Sequence, residues 1–501
     1  MRFDQLDDWL SWQESLNPKE IDLGLDRVKQ VLSQANYSTS FNCPLIIVAG
    51  TNGKGSTVAL LESIALAAGL NVCSYTSPHL LKYNERIKIN GIAVDDNTLC
   101  ESFSRIDLAR GDTQLTYFEF GTLAAIDIFF QQQADLVIME VGLGGRLDAV
   151  NIMDADVCVL SSVAIDHVDW LGDDREQIGF EKAGIFRRDR PVICGDKNPP
   201  LSVLAAAENL HCEFLQIGRD FNVIDIGESK RWKLHNSIAD FGELTSPGLF
   251  GDFQKVNAAV AIMAIMKVFD VLSKSVTVKN VLSSAKKQTS KYNEQLGNQL
   301  LTDEVVTNKL LNKAFSSVSL PGRFQQIHRS PDVYVDVAHN PQAAQSLVSQ
   351  LHDIRTGVLN NETASETAND GAKTWAIVAM LKDKDVTAVL DTVSEEIDHW
   401  CVAGLDQVSR GLTVSDFAAR LADTSLTAAS RELISEELIK QALLDLEQNQ
   451  CTILCGSVML ANTVDMACDA VLKRASQNDN IIIFGSFFTV AEAMQYFSVL
   501  P

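Results

Sequence analysis

Short runs of β-branched and aliphatic residues alternate with longer segments of helical pattern along most of the chain. Leu45–Ala49, Asn71–Tyr75, Leu136–Glu140, Val157–Ser162 and Val192–Cys194 read as strands in the first half. Val333–Val337, Trp375–Met380, His399–Ala403, Thr452–Cys455 and Ile481–Phe484 form a second series. Strands buried on both faces are apolar at consecutive positions, and parallel neighbours need a helical crossover, so the alternation predicts two parallel sheets wrapped by helices. The fold class expected is α/β, with a larger N-terminal domain over 1–315 and a smaller Rossmann-like domain over 316–501. Between them, roughly Ser283 to Ser319 is rich in Lys, Ser, Asn and Gln with little period, and Pro321-Gly322 marks a turn where the hinge is expected. Thr356 to Lys373 almost lacks large apolar residues and reads as a mobile surface insertion.

The first strand runs straight into Gly50-Thr51-Asn52-Gly53-Lys54-Gly55-Ser56-Thr57, and a helix-prone stretch follows. Strand, glycine-rich turn and helix in that order make a phosphate cradle. The glycines let backbone N–H groups point inward, Lys54 adds a mobile cation, and Ser56 or Thr57 can place a hydroxyl on a phosphate-bound magnesium. The N-terminal domain is therefore expected to be a P-loop-type ATP-binding domain. The spacing departs from G-x-x-x-x-G-K-[ST], because position 48 is Val and Gly55 separates Lys54 from the hydroxyl residues.

The formal net charge of −23 argues against a nucleic-acid partner, since a phosphate backbone demands basic surface, but leaves room for small anionic substrates met by local groups. No uncharged stretch reaches the roughly 18 residues that cross a bilayer, and the acidic start lacks the pattern of a secretory signal, so no membrane partner and a cytoplasmic location are expected. Ten cysteines are scattered without paired spacing. Cys73, Cys158 and Cys194 fall in apolar runs, which reads as reduced core thiols, and Cys451 and Cys455 flank apolar residues of another strand rather than a metal site.

Several polar residues fall at the ends of predicted strands, where open α/β sheets bind ligands. Glu140 ends one strand and is followed by Gly142, Gly144 and Gly145, which suits a magnesium ligand with close substrate approach. Asp166-His167 follows the next strand. Lys182 lies in mostly apolar surroundings, where a lysine can shift its pKa, pair with phosphate, or be carbamylated by carbon dioxide. Arg323 after the hinge can neutralise a polyphosphate, and Asp336 and His339 follow a strand of the second series. Two α/β domains, one binding phosphate and one bearing Arg, Asp and His, suggest a ligase that closes on substrate.

The phosphate loop, Thr76-Ser77-Pro78-His79-Leu80, Asn84-Glu85-Arg86-Ile87, Tyr117-Phe118-Glu119, Glu140 to Ala149, Asp166-His167, Glu181-Lys182-Ala183-Gly184, Pro321-Gly322-Arg323-Phe324 and Asp336-Val337-Ala338-His339-Asn340-Pro341 occur in this order. Together they closely resemble the folylpolyglutamate synthase/dihydrofolate synthase family of the Mur ligase superfamily, from about Ile21 to the C-terminus. The residues near 284–318 and 356–373 look like insertions outside that pattern.

The resemblance implies an ATP-dependent amide ligase in which a carboxylate takes the γ-phosphate and the amine of L-glutamate displaces it. It implies that Gly53, Lys54, Gly55 and Ser56 hold the triphosphate, with Asn257, Arg323 and Asp336 as further nucleotide contacts. Ser56, Ser77, Glu140 and His167 would ligate Mg2+, with two ions expected. Lys54, carbamylated Lys182 and His339 take catalytic roles. Thr116, Tyr117, Phe118 and Glu119 with Leu147, Asp148 and Ala149 match a pterin-side pocket, where Phe118 would stack on the ring and Asp148 lie near its polar edge. The expected partners are dihydropteroate, tetrahydrofolate, L-glutamate and ATP, acted on by a monomer. Ile21 to Val28 resembles the N-terminal loop of bifunctional bacterial members. The rivals are a monofunctional folylpolyglutamate synthase, a Mur-type cell-wall ligase, and a catalytically silent nucleotide-binding protein; the last would predict loss of Lys54, Glu140, His167 or Lys182, and all four are present.

Overall fold

The computed structural model describes residues 2–17, 19, 21–227, 231–274, 305–356, 371–421, 424, 436–449 and 451–498. The chain forms two compact units, Met1–Gly248 with Asp252–Leu320, and Leu249–Gly251 with Pro321–Pro501.

The first unit is built on β1 (Leu45–Ala49), β2 (Val72–Tyr75), β3 (Ile87–Ile89), β4 (Ile92–Ala93), β5 (Leu136–Glu140), β6 (Val157–Leu160), β7 (Pro191–Cys194) and β8 (Glu213–Gln216). They lie in the order β4-β3-β2-β5-β1-β6-β7-β8, parallel except for the β3–β4 edge. Its helices are α1 (Leu6–Leu16), α2 (Asp26–Gln34), α3 (Lys54–Ala67), α4 (Asp96–Arg110), α5 (Tyr117–Phe130), α6 (Val168–Leu171), α7 (Arg175–Ala183), α8 (Leu201–Asn209) and α9 (Phe253–Lys274). Every residue of β1 is buried. Leu45, Ile47 and Ala49 join one apolar cluster with α1, α2, α4 and α5, while Ile46 and Val48 alternate to the other face, where α3 and α9 pack together. Coverage of both faces is why the central strands are apolar throughout.

Residues Phe253–Ser273 of α9 are long and apolar enough by composition to cross a bilayer, but 78% of their most apolar window is buried in the fold. This is a core helix, apolar all round because it is enclosed all round.

Besides β8, and Gln325–His328 and Val458–Ala461 in the second unit, which the strand reading omits, three features of the first unit depart from it. The β3–β4 edge is one. A separate antiparallel sheet of β9 (Phe221–Asp225), β10 (Arg231–Asn236) and β11 (Leu244–Thr245) is another. In β10 only Trp232 and Leu234 are buried, so it alternates with charged and polar residues and lacks the apolar run of a central strand. The third is a helix, Asn308–Ser317, within the stretch expected to be aperiodic. It buries Leu311, Ala314 and Phe315, and Phe315 stacks on Trp232 at 6.1 Å. The rest of the first expected insertion, 284–304, and most of the second, 357–370, lie outside the described residues.

The second unit carries β12 (Gln325–His328), β13 (Asp332–Asp336), β14 (Thr374–Val378), β15 (His399–Ala403), β16 (Cys451–Cys455), β17 (Val458–Ala461) and β18 (Asn480–Phe484). Their order is β12-β13-β18-β14-β15-β17-β16, with antiparallel strands only at the two edges. All ten cysteines are free, and Cys73, Cys158 and Cys194 are buried in β2, β6 and β7 as expected.

Trp9 anchors α1 to the first unit. It is fully buried against Phe3, Trp12 and Phe103, and its indole N–H donates to the Phe3 carbonyl. Trp9→Ala is expected to destabilise this unit by about 3–5 kcal/mol, read as a lowered urea midpoint by circular dichroism. A shift worth under about 1 kcal/mol would contradict the packing described.

Candidate active site

The loop between β1 and α3 is held in shape by the segment that follows β6. Thr51 N–H donates to the Ser162 carbonyl and Asn52 N–H to Ser162 Oγ, at 2.8 and 3.0 Å. Ser161 Oγ returns a bond to the Asn52 carbonyl at 2.7 Å. Gly50 has φ +151°, and a Cβ there would fall 1.9 Å from Ser161 Oγ. Gly53, at φ +83°, begins α3, and its Cβ would lie 2.8 Å from Asn257 Oδ1. The glycines are therefore fixed both by conformation and by neighbours at contact distance.

Two lysines converge on this loop. Lys54 Nζ donates to the Gly50 and Thr51 carbonyls at 3.0 and 3.2 Å, and Lys182 Nζ donates to the same Gly50 oxygen at 3.1 Å. Lys182 is buried near the end of α7. Burial pushes its pKa down to about 7, the Lys54 charge pushes the same way, and Asp166 and Asp148 oppose them. Asp148 is moved up to about 7 by burial, offset by backbone donors and Lys54.

Glu140 ends β5 and is buried. Its Oε2 accepts the Ser77 N–H at 3.1 Å, and both carboxylate oxygens lie 3.9 Å from where a Gly55 Cβ would be. Ser77, Glu140 and the first turn of α3, which bears Ser56, are thus brought together. His167 follows β6 and precedes α6 in the left-handed region, and its N–H donates to Asp166 Oδ1. Among the described residues no three His, Cys, Asp or Glu side chains form a ready-made metal cage. One carboxylate and hydroxyl oxygens suit a hard cation such as Mg2+, which keeps waters and takes phosphate oxygens to complete its shell.

The start of α9 closes the cradle from another side. Asn257 Nδ2 donates to Gln254 Oε1 at 2.9 Å, and Gln254 Nε2 donates to Ser56 Oγ at 3.4 Å. Gln254 was not singled out in the sequence. Its signal was available, because it precedes Asn257 by three residues on a helix and so shares its face.

The residues matched to a pterin pocket divide into two kinds. Phe118 is half-buried, with its ring against Gly142, whose Cβ would fall 2.6 Å from Phe118 Cζ, and 6.2 Å from the Tyr75 ring. Tyr117 is half-buried beside Tyr83 and the Arg86 guanidinium, and Leu147 is half-buried. The others fold the site. Thr116 caps α5, exchanging bonds with Glu119 in a capping box. Glu119 also pairs with Arg27 at 2.8 Å, and Arg27 with Asp22 at 2.8 Å, which ties the 21–28 segment to the start of α5. Asp148 accepts the N–H groups of Leu143 and Val150 at 2.9 and 3.0 Å, closing the glycine turn, and Ala149 is buried beside it. The carboxylates of Glu119 and Asp148 are thus engaged within the protein.

In the second unit, Asp336 ends β13, and its oxygens accept the Phe324 and Ala338 N–H groups at 2.8 and 2.7 Å. Burial raises its pKa, while the Arg323 charge and these bonds lower it. Arg323 lies over the Phe487 ring at 5.3 Å, and the His339 Nδ1 is 2.7 Å from the Val337 carbonyl. Arg323, Asp336 and His339 therefore occupy one end of this sheet.

Comparison with known proteins places this geometry in a family. The Mur ligase middle domain matches residues 48–265, and the Mur ligase glutamate ligase domain matches 322–458. The Escherichia coli (strain K12) dihydrofolate synthase/folylpolyglutamate synthase is 34% identical over 97% of this chain and 94% of its own length. The chain belongs to the dihydrofolate synthase/folylpolyglutamate synthase family. Two solved structures of the family superpose over 99% of this chain and 98% of theirs. One is E. coli FolC in complex with DHPP and ADP, at TM-score 0.74 and 34% identity. The other is a bifunctional enzyme with Mn, AMPPNP and L-glutamate bound, at 0.75 and 32%.

Gly50→Ala is expected to weaken ADP binding at least tenfold, because the methyl group collides with the Ser161 brace and the residue must hold φ +151°. Isothermal titration of ADP with folded variant checks this; unchanged affinity would contradict the loop geometry.

Proposed function

We propose that this chain is an ATP-dependent ligase that adds L-glutamate to dihydropteroate and to tetrahydrofolate. The observation that carries the reading is the convergence of Lys54, Lys182 and Ser56, with Glu140, on a braced phosphate loop in a chain of this family. The E. coli enzyme, 34% identical, is named for both activities, and solved relatives hold DHPP and ADP, or AMPPNP and L-glutamate. The Asp22–Arg27–Glu119 linkage supports dual use, since it fastens the 21–28 segment beside Phe118. The first unit is then the ATP- and pterin-binding domain and the second the glutamate-ligase domain.

In this reading the N–H groups from Gly53 to Ser56 cradle the triphosphate, and Lys54 leaves the Gly50 and Thr51 carbonyls for the γ-phosphate. The substrate carboxylate oxygen attacks the γ-phosphorus and the bond to ADP breaks. The glutamate amine then attacks the acyl carbon, loses a proton, and phosphate departs with one former carboxylate oxygen. Lys54 offsets the charge that develops as one anion attacks another. Ser56, Ser77, Glu140 and His167 would hold Mg2+, two ions in all, and a cation there supplies further charge neutralisation. Asn257, Arg323 and Asp336 contact the nucleotide and His339 the reacting groups. Phe118 offers a flat ring to a pterin, while Thr116, Glu119, Asp148 and Ala149 hold its surroundings.

Carboxylate-18O dihydropteroate tests the mechanism: one labelled oxygen is expected in the phosphate released. Label confined to the amide product would overturn it. Lys54→Ala is expected to lower turnover at least a hundredfold, about 3 kcal/mol, with the fold retained, and near-normal activity would contradict its role.

We also infer that Lys182 is carbamylated. Its neutral amine adds to carbon dioxide and releases a proton, so the reaction needs the deprotonated form. A pKa near 7 leaves that form dominant at pH 8, whereas an ordinary lysine near 10.5 would be almost wholly charged. With 13C-labelled carbon dioxide, a carbamate resonance absent from Lys182→Ala is expected to grow between pH 6 and 8. No such resonance, or one that declines with pH over this range, would contradict the inference.

A further inference from the structure

We propose that Gln254 is a positioning residue that sets the Ser56 hydroxyl for a divalent cation and the Asn257 amide for nucleotide. The inference rests on the ligase reading above and assigns a task to a residue outside the predicted site. Gln254 is 1% exposed at the start of a core helix, so its amide must find partners within the protein.

Both ends of that amide are directed at the phosphate loop. Oε1 receives Asn257 Nδ2 at 2.9 Å, and Nε2 points at Ser56 Oγ at 3.4 Å. This assignment is self-consistent, because reversing the Gln254 amide would set its NH2 against the Asn257 donor. Two consequences follow for groups that face the ligand. The Asn257 amide is fixed with its nitrogen toward Gln254 and its oxygen toward Gly53, where Oδ1 lies 2.8 Å from a would-be Cβ. Ser56 Oγ uses one lone pair as acceptor, which leaves a second lone pair for a cation and its proton to turn aside. An aliphatic side chain in place of Gln254 would leave the Ser56 rotamer and the Asn257 flip unset. The bond that Gln254 donates to Ser56 is long, at 3.4 Å, and is expected to shorten in the complex with metal and nucleotide.

A conserved volume change tests this with a readout beyond turnover. AMPPNP binding is measured by titration, with and without Mg2+, in wild type, Gln254→Leu, Ser56→Ala and the double variant. Metal is expected to tighten binding in wild type, and Gln254→Leu to lose most of that enhancement, about tenfold, while metal-free binding falls no more than about threefold. If Gln254 acts through Ser56, the double variant loses no more of the metal enhancement than Ser56→Ala alone. The KM for dihydropteroate should not move. Full metal enhancement in Gln254→Leu, or simple additivity in the double variant, overturns the proposal. Should Gln254→Leu fail to fold, Gln254→Met replaces it with a flexible side chain of similar length and the same outcomes apply. Absence of any nucleotide binding in wild type would instead overturn the ligase reading itself.

Discussion

Two ammonium groups, Lys54 and Lys182, donate to one carbonyl oxygen, that of Gly50, in a buried setting. Lys54 has the Thr51 carbonyl as a further acceptor, whereas Lys182 is buried, and that burial together with the Lys54 charge lowers its pKa to about 7 against the pull of Asp166 and Asp148. The pocket therefore favours an anion. A triphosphate relieves the repulsion by drawing Lys54 away, and loss of a proton from Lys182 relieves it another way. The rest of the first unit serves this pairing. The β6 segment fixes the Gly50 peptide through Ser161 and Ser162, α9 presses Asn257 on Gly53, and Glu140 sets a carboxylate against the first turn of α3. Lys54 and Lys182 meet at one peptide in a chain of net charge −23, because net charge does not fix the local arrangement of groups.

The central parallel strands were legible because burial on both faces makes them apolar without interruption. Leu136–Glu140 and His399–Ala403 match the observed strands residue for residue. β3, β4, the β9–β11 sheet, β8, β12 and β17 were not, although the antiparallel edge strand β16 was read as Thr452–Cys455. In β10 only one side is buried, and β4 is a two-residue edge with both residues exposed, so neither has an apolar run to announce it. The helix Asn308–Ser317 was hidden by polar residues at its outward positions, and its partner Trp232 is remote in sequence.

For the candidate site, motifs named the residues and the structure divides them by task. Lys54 and Glu140 lie around the phosphate loop as their loop and strand-end positions suggested, and Lys182 reaches it from α7. Glu119 and Asp148 look alike in sequence, two acids in ligand motifs, yet each is engaged by partners that no motif discloses, Arg27 for one and the Leu143 and Val150 N–H groups for the other. Gln254 went unnoticed for the converse reason. Its spacing to Asn257 placed it on the same helix face, but an uncharged amide shows its task only once its two ends are seen to reach Ser56 and Asn257.

In the function proposed, one braced site serves two carboxylate substrates with one amine. ADP release by the purified protein, followed with L-glutamate plus dihydropteroate and separately with L-glutamate plus tetrahydrofolate, tests this directly. Glutamate-dependent release is expected with each, and none without a pterin substrate. Release with tetrahydrofolate alone would contradict dual use and leave a monofunctional folylpolyglutamate synthase, and release with neither would contradict the ligase.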